Sequence, residues 1–481
     1  MEFTLACNWD LALIDQLNPT QVKGFFGQYT DDPFGGGRGS FLVPKVTKEE
    51  AEIFMKKAMG KGFEFNYLLN GACINNQEFI RDQFNVLMSH VEWVDSLNVD
   101  MVTVTLPFLL NLIKKNFPRL KVCISSWARI ESANRAQYWE EMGADKLILQ
   151  EHVNRNFKAL TSIRKAVKCE LEVIANPSCL FTCPYEYNHI NMMTHSSQPS
   201  VVTNGFVVDH CQLSCQKRKL ENPVEIIKAR WIRPEDVGVY DEIGIDTLKL
   251  LERFRTTPSL MKVVQAYTER QFDGNLIELL TLPNKGAFNP PNLEYLLRPE
   301  FINIEMMMRM ADVFGYSFPE IIYLDNRQLD HFLDGFGKRD CLSQYCDDCL
   351  YCKRVSEKAI RILDETKRQE VLGKFHAFLD DLYSGRICLE NSPIELKGMR
   401  LTKGAESAFK TILDILPQPV RPFAEPLTLH GAEQLAQSQN EKEIRERDIV
   451  LSFWMGTPET SKEEVKSFLK SRDLFKYVEG A

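Results

Sequence analysis

Eight short apolar runs, separated by amphipathic stretches, occupy the first 250 residues of this 481-residue chain, and that alternation restricts its fold more than any other feature. The runs are "FTLAC" (3–7), "KGFFGQY" (23–29), "FEFNYLL" (63–69), "MVTVTLP" (101–107), "KVCISSW" (121–127), "KLILQE" (146–151), "LEVIAN" (171–176) and "TLKLL" (247–251). Short runs of this kind read as strands, and the longer stretches between them, with apolar positions three and four apart, read as helices. After the second run, Thr47 and Glu50 form a capping box, Ala51, Phe54, Met55 and Ala58 line one face, and Gly60 ends the helix. "NVD" (98–100), "GAD" (143–145) and "GID" (244–246) each place a turn residue and an aspartate between a helix and the next strand. Strands that alternate with helices pair in parallel, so the expected fold class is α/β, a closed TIM-like (β/α)8 barrel.

Such a barrel accounts for about 250 residues, which leaves a long remainder. Helical patterns such as "FINIEMMMRMADVFG" and "EKAIRILDETKRQEVLGKFHAFLDDLY" dominate it, giving a helical, cysteine-containing C-terminal extension. The expected division is a barrel over 1–275, a helical region over 276–414 and a small helical segment over 427–481. "ILPQPVRPFAEP" (415–426), with four prolines, reads as the linker, and Ser461 to Glu464 as a second capping box. Met306 to Met308 and Met310 read as core filling rather than a sticky face.

Thirteen cysteines, with neither a basic and apolar leader nor an eighteen-residue apolar run, fit a reduced cytoplasmic protein better than a disulfide framework. Cys7, Cys73, Cys123, Cys169 and Cys388 stand alone and read as small buried hydrophobes, with Cys7 notable for ending an apolar strand. The other eight form two sets of four. Cys179, Cys183, Cys211 and Cys215 give two C-x3-C pairs twenty-seven residues apart, in the long loop after the seventh run. In a barrel that loop opens on the active face. Four thiolates from two segments suit a [4Fe-4S] cluster, whereas structural zinc more often uses C-x2-C knuckles. A radical S-adenosylmethionine triad would need a cysteine at position 186, where Glu186 stands. Cys341, Cys346, Cys349 and Cys352 overlap as C-x4-C-x2-C-x2-C, a spacing for a second [4Fe-4S] cluster or for zinc, with an electron-transfer or structural role.

Around the first set, His189, His195 and His210 are candidate proton donors or acceptors, with Asp209 beside them. Lys217, Arg218 and Lys219 could offset an anionic cluster, or simply form a solvated basic stretch. "ARWIRPEDV" (229–237), in the same loop, reads as an extra strand or a packed segment. "FGGGRGS" (34–40) follows the second run: Gly37 and Gly39 would let the backbone approach an anion and Arg38 would clamp a carboxylate or phosphate. It lacks the Lys-Ser ending of a Walker A loop.

Taken together, "GFFGQYTDDPFGGGRGSF", "GFEFNYLLN", "MVTVTLPFLLNLIKKNFPRLKVCISSWA", "YWEEMGADKLILQEHVNRNFKALTSIRKAVKCELEVIANPSC" and "IGIDTLKLLERFRTTPSLMKVVQAYTE" resemble the U32 peptidases, once described as collagenase-like, over roughly residues 1–275. The resemblance implies a TIM-like barrel with a [4Fe-4S] cluster, and a kinship in type with the oxygen-independent hydroxylation proteins of that family. Its "GIDSFKIEGR" is here "GIDTLKLLER", which keeps Lys249 and Arg253 as candidate catalytic residues but places Leu251 at the usual glutamate, with Glu252 next to it. The spacing of the first cysteines also departs from common members.

The expected function is therefore iron-sulfur oxidoreduction, such as oxygen-independent hydroxylation of a small, anionic or modified-base substrate, with an electron donor or partner protein. A non-catalytic, cluster-carrying partner in a biosynthetic complex is one alternative. A U32-type peptidase is the other, although no Ser-His-Asp grouping or H-E-x-x-H pattern occurs. A formal charge of -8 argues against bulk nucleic-acid binding, and no membrane span is expected.

Overall fold

All eight apolar runs form strands in a computed structural model that describes residues 1–199, 208–291, 304–387, 398–416, 421–457 and 462–479. They are β1 (Glu2–Ala6), β2 (Gly24–Gly27), β3 (Glu64–Leu69), β4 (Met101–Val104), β5 (Lys121–Ile124), β6 (Lys146–Ile148), β7 (Glu170–Ile174) and β8 (Thr247–Leu250). Each pairs in parallel with the next, and β1 pairs with β8 from Glu2↔Thr247 to Leu5↔Leu250, which closes the barrel. The helix Lys48–Gly60 carries the Thr47/Glu50 capping box on both sides, and Ala51, Phe54, Met55 and Ala58 are buried on one face.

Alternate residues of the strands fill the interior. Ala6, Phe26 and Leu68 pack into one cluster, Met101, Cys123, Ile148 and Ile174 into another, and Leu251 touches both. Below this apolar layer lies a charged one. Thr4 Oγ1 donates to Glu172 Oε1 at 2.7 Å. Because β1 and β7 both flank β8 in the closed barrel, that bond spans one intervening strand. Lys146 Nζ lies 3.1 Å from Glu172 Oε1 and Lys249 Nζ 3.6 Å from Oε2.

The described parts of the segment between β7 and β8 are mainly helical: Glu186–His195, His210–Glu221, Val224–Lys228 and Val237–Ile243. "ARWIRPEDV" forms no strand. It is a packed segment in which Ile232 donates its N–H to Ala175 O at 2.7 Å, Trp231 is fully buried, and Pro234–Asp236 make a 3-10 turn.

The chain divides into two compact units, Met1–Asn292 with Val313–Leu379, and Leu293–Asp312 with Asp380–Ala481. The second cysteine set thus falls in the same unit as the barrel. Arg233 joins the two stretches of that first unit, donating to Asn326 Oδ1 at 3.0 Å and Leu329 O at 2.5 Å and pairing with Asp330 at 2.9 Å. The other unit has its own core, built on Ala405, Ile412, Ala436, Ile449 and Leu469. Its helix Arg421–Ser438 contains Pro426, so the stretch expected to be a linker over 415–426 is helical from Arg421 onward. Pro422 falls in the first turn, where the missing N–H would have had no partner anyway. Ser461, Cys388 and the side chains of Met306 to Met308 lie outside the described residues, while Met310 is buried. Among the described residues, no helix is long and apolar enough to cross a membrane.

Candidate active site at the barrel mouth

The C-terminal ends of β2, β7 and β8 bring together the glycine loop, the first cysteine pair and Glu252–Arg253. Arg38 Nε donates to Glu252 Oε1 at 2.7 Å, and its Nη2 bonds to the other carboxylate oxygen, a bidentate pair. Burial opposes the charge on Arg38, but Glu252 outweighs it and holds the guanidinium up. Arg253, almost fully buried beside them, is pushed down to about 10 by burial and by Arg38. Among the described residues it has no ion-pair partner, because Glu252 is engaged by Arg38. Leu251, at the position where a glutamate is usual, faces the apolar interior, and Glu252 supplies the carboxylate at the mouth instead.

The glycines serve close packing. A Cβ on Gly36 would lie 1.8 Å from Gln28 Oε1, and one on Gly39 would lie 2.7 Å from Ser196 Oγ. The loop is clasped by the end of the helix Glu186–His195: Gly36 N–H donates to Ser197 Oγ at 2.8 Å and Gln198 Nε2 donates to Phe34 O at 3.1 Å. Gly37 borders Trp127 and Asn70, whose atoms a Cβ there would meet at 3.5 and 3.6 Å. Arg38 is therefore presented on a fixed backbone, as a clamp for an anionic group requires.

Cys179 and Cys183 leave β7, while Cys211 and Cys215, four apart, lie along one side of the helix His210–Glu221. Cys179, Cys183 and Cys215 are close enough for each thiolate to feel the others. Cys211 interacts electrostatically with Cys215, and its Sγ accepts from Asn188 Nδ2 at 3.3 Å. Burial pushes Cys183 up to about 11 and raises Cys179 further. Cys179 keeps solvent access as a residue. Of the basic stretch, Lys217 pairs with Glu221 at 2.7 Å and Arg218 with Glu225 at 3.6 Å. Buried Lys219 instead favours the thiolates of Cys179 and Cys183. Among the described residues, no three Cys, His, Asp or Glu side chains are already drawn together around a single-ion site. Two sulfur-bearing segments with a buried cation nevertheless fit an anionic thiolate centre, since metal ligation ionises thiols that burial keeps neutral.

The histidines are dispersed. His189 Nε2 lies 3.0 Å from Asp209 Oδ2, His195 Nδ1 lies 3.2 Å from Gln198 Oε1, and His210 Nε2 lies 3.4 Å from Ser214 Oγ. Of the three, His189 has the geometry of an oriented acid or base, and Asp209 also acts on Arg38. Glu186 pairs with Arg129 and His152, both at 3.5 Å, which makes its carboxylate an anchor for the cysteine loop. Lys249 lies within the barrel, its ammonium 3.6 Å over the Phe26 ring, and burial outweighs Glu172 to lower its pKa.

All four cysteines of the second set, Cys341, Cys346, Cys349 and Cys352, line one cavity of about 260 Å³. Phe181, which stands between Cys179 and Cys183 in the chain, lines it too. Sequence reasoning missed Glu172 and Lys146, and also Arg155 and Arg230 beside this cavity. The signal for the first two was charge at inward positions of otherwise apolar strands.

The sequence profile described as Peptidase family U32 matches residues 49–273. An uncharacterized protease of Methanocaldococcus jannaschii, MJ1657, is 26% identical over 351 residues, spanning 72% of this chain and 92% of that protein. Among solved structures, the U32 peptidase Mk0906 aligns at 21% identity and a TM-score of 0.40, over 52% of this chain and 93% of its own. The carboxyl transferase domain of Rhizobium etli pyruvate carboxylase aligns at 10% identity and a TM-score of 0.32, over 99% of this chain and 78% of its own.

Proposed function

The chain belongs to the U32 peptidase family, and we propose that it works there as an iron-sulfur redox enzyme, acting on a small anionic or modified-base substrate in oxygen-independent hydroxylation or a related oxidoreduction. The observation that carries this reading is the grouping of Cys179, Cys183 and Cys215 with buried Lys219 at the barrel mouth, next to Arg38. Cys179, Cys183, Cys211 and Cys215 would hold a [4Fe-4S] cluster, which supplies one-electron exchange when bound.

The chain's own residues then have separable tasks. Arg38, fixed by Glu252, and Arg253 hold the substrate's anionic group. Trp127 and Asn70 border Gly37 and shape the same opening. His189, oriented by Asp209, holds or releases a proton at Nε2 or Nδ1. Lys249 and Glu172 keep the barrel floor charged and rigid beneath the site. Cytoplasmic residence follows as part of the proposal, since exposed thiol clusters persist where thiols stay reduced.

The family's name and the protease relative favour a second reading, peptide hydrolysis. Against it, Ser214 touches His210 while Asp209 touches His189, so this serine and this acid meet different histidines. Anaerobically reconstituted protein separates the two. The redox reading predicts visible absorbance that dithionite bleaches reversibly. Peptide cleavage by iron-free protein, with no reducible chromophore in the reconstituted form, would overturn it.

A further inference from the structure

The second cysteine set faces two buried guanidiniums, Arg155 and Arg230, that form no ion pair among the described residues. Arg230 is 4% exposed, and its guanidinium lies 3.7 Å from the centroid of the Phe181 ring. Its Nε and Nη1 have no hydrogen-bond partner. Arg155, 2% exposed, stacks on Trp231 at 4.3 Å and Phe332 at 4.6 Å and donates only to backbone carbonyls, Ile227 O at 2.6 Å and Trp231 O at 2.9 Å. Neither has an ion-pair partner among the described residues. They repel each other, and the group that compensates Arg155 most is Cys352. Lys228, Arg339 and Lys353 also line the cavity, against the single carboxylate of Asp347. Guanidiniums buried this way are costly unless an anion faces them.

We infer that Arg155 and Arg230 are the counter-cations of an iron-sulfur centre bound by Cys341, Cys346, Cys349 and Cys352, and that Phe181 sets this centre directly beside the barrel-mouth one. Four thiolates on a core of charge +2 carry a net charge of about -2, which matches two guanidiniums. A zinc ion would carry the same net charge, but its four sulfurs must converge to about 2.3 Å from one point. The four cysteines instead surround a cavity of about 260 Å³, room for a polyatomic core. Phe181 forms part of that cavity wall and belongs to the loop that presents Cys179 and Cys183, so that loop reaches both sulfur sets.

The inference concerns the second set and stands apart from the redox reading of the first. Its test uses full-length Cys179→Ala, in which only the second set can be filled, with and without Arg230→Gln. Iron and sulfide should persist in Cys179→Ala, and adding Arg230→Gln should move the reduction midpoint to lower potential, since removing a positive charge disfavours the added electron. Arg230→Lys should restore most of the shift, and circular dichroism melts would verify that each variant is folded. Zinc in place of iron in Cys179→Ala, or a midpoint unmoved by Arg230→Gln, overturns the inference. Iron present in the parent but absent from Cys179→Ala also overturns it, while leaving the proposed function intact.

Discussion

Replacing Cys179 with alanine is expected to lower the iron content from about eight to about four atoms per chain and to remove one of two paramagnetic signals seen after reduction. The size of the effect follows from position. Cys179 interacts electrostatically with both Cys183 and Cys215, and its charge also acts on Arg38. A missing thiolate leaves one iron without its protein ligand. Substitution of Cys211, which interacts with Cys215 and is tied to Asn188, should remove the same signal. Cys7 and Cys123, buried alone with thiols raised by burial, should be replaceable by alanine with iron unchanged. Elemental analysis and electron paramagnetic resonance on matched anaerobic preparations provide the readout.

Changing Glu172 to glutamine should cost about 3–5 kcal/mol of folding stability, because it removes one partner from a buried charge network. Lys146 and Lys249 both converge on Glu172 inside the barrel, and the nearest other carboxylate, Glu170, is 3.9 Å from Lys146. Burial opposes ionisation of Glu172, yet Lys146 and Lys249 prevail and bring its carboxyl down to about 2 from 4.5. A group with a depressed folded-state pKa stabilises the fold above its unfolded value, so this contribution is complete above about 4.5 and fades as pH falls toward 2. Over that window it amounts to about 3 kcal/mol. Denaturant unfolding as a function of pH should show the wild-type decline and a flatter profile for Glu172→Gln, with Lys249→Met in the same chain recovering part of the loss.

The barrel was legible because most strand positions are buried and so read as short, largely apolar runs, and the Thr47/Glu50 box was legible because capping is local chemistry. Strand ends were less so: "KVCISSW" continues past Ile124 into a 3-10 turn at Ser126–Ala128, because Ser125 caps that turn with its hydroxyl. The prolines of 415–426 suggested a linker, but a proline in the first turn of a helix carries no signature that separates it from a loop. Arg38 could be singled out from its glycines, whereas its partner Glu252 is distant in sequence and only the barrel's closure brings them together. The same holds for Arg155, after β6, and Arg230, between β7 and β8, whose relation to Cys352 depends on how residues 313–379 pack against those two segments. Of the histidines near the cysteines in sequence, His195 contacts Gln198 and His210 contacts Ser214, pairings set by helical spacing.

The proposed chemistry of this polypeptide depends on inorganic sulfide and iron being built into its thiol quartets. Wild-type protein isolated without oxygen, with iron, acid-labile sulfide and zinc counted per chain, decides it most directly: about eight iron and eight sulfide are predicted. Stoichiometric zinc with no sulfide, or a fully folded protein holding neither metal after reconstitution, would contradict it.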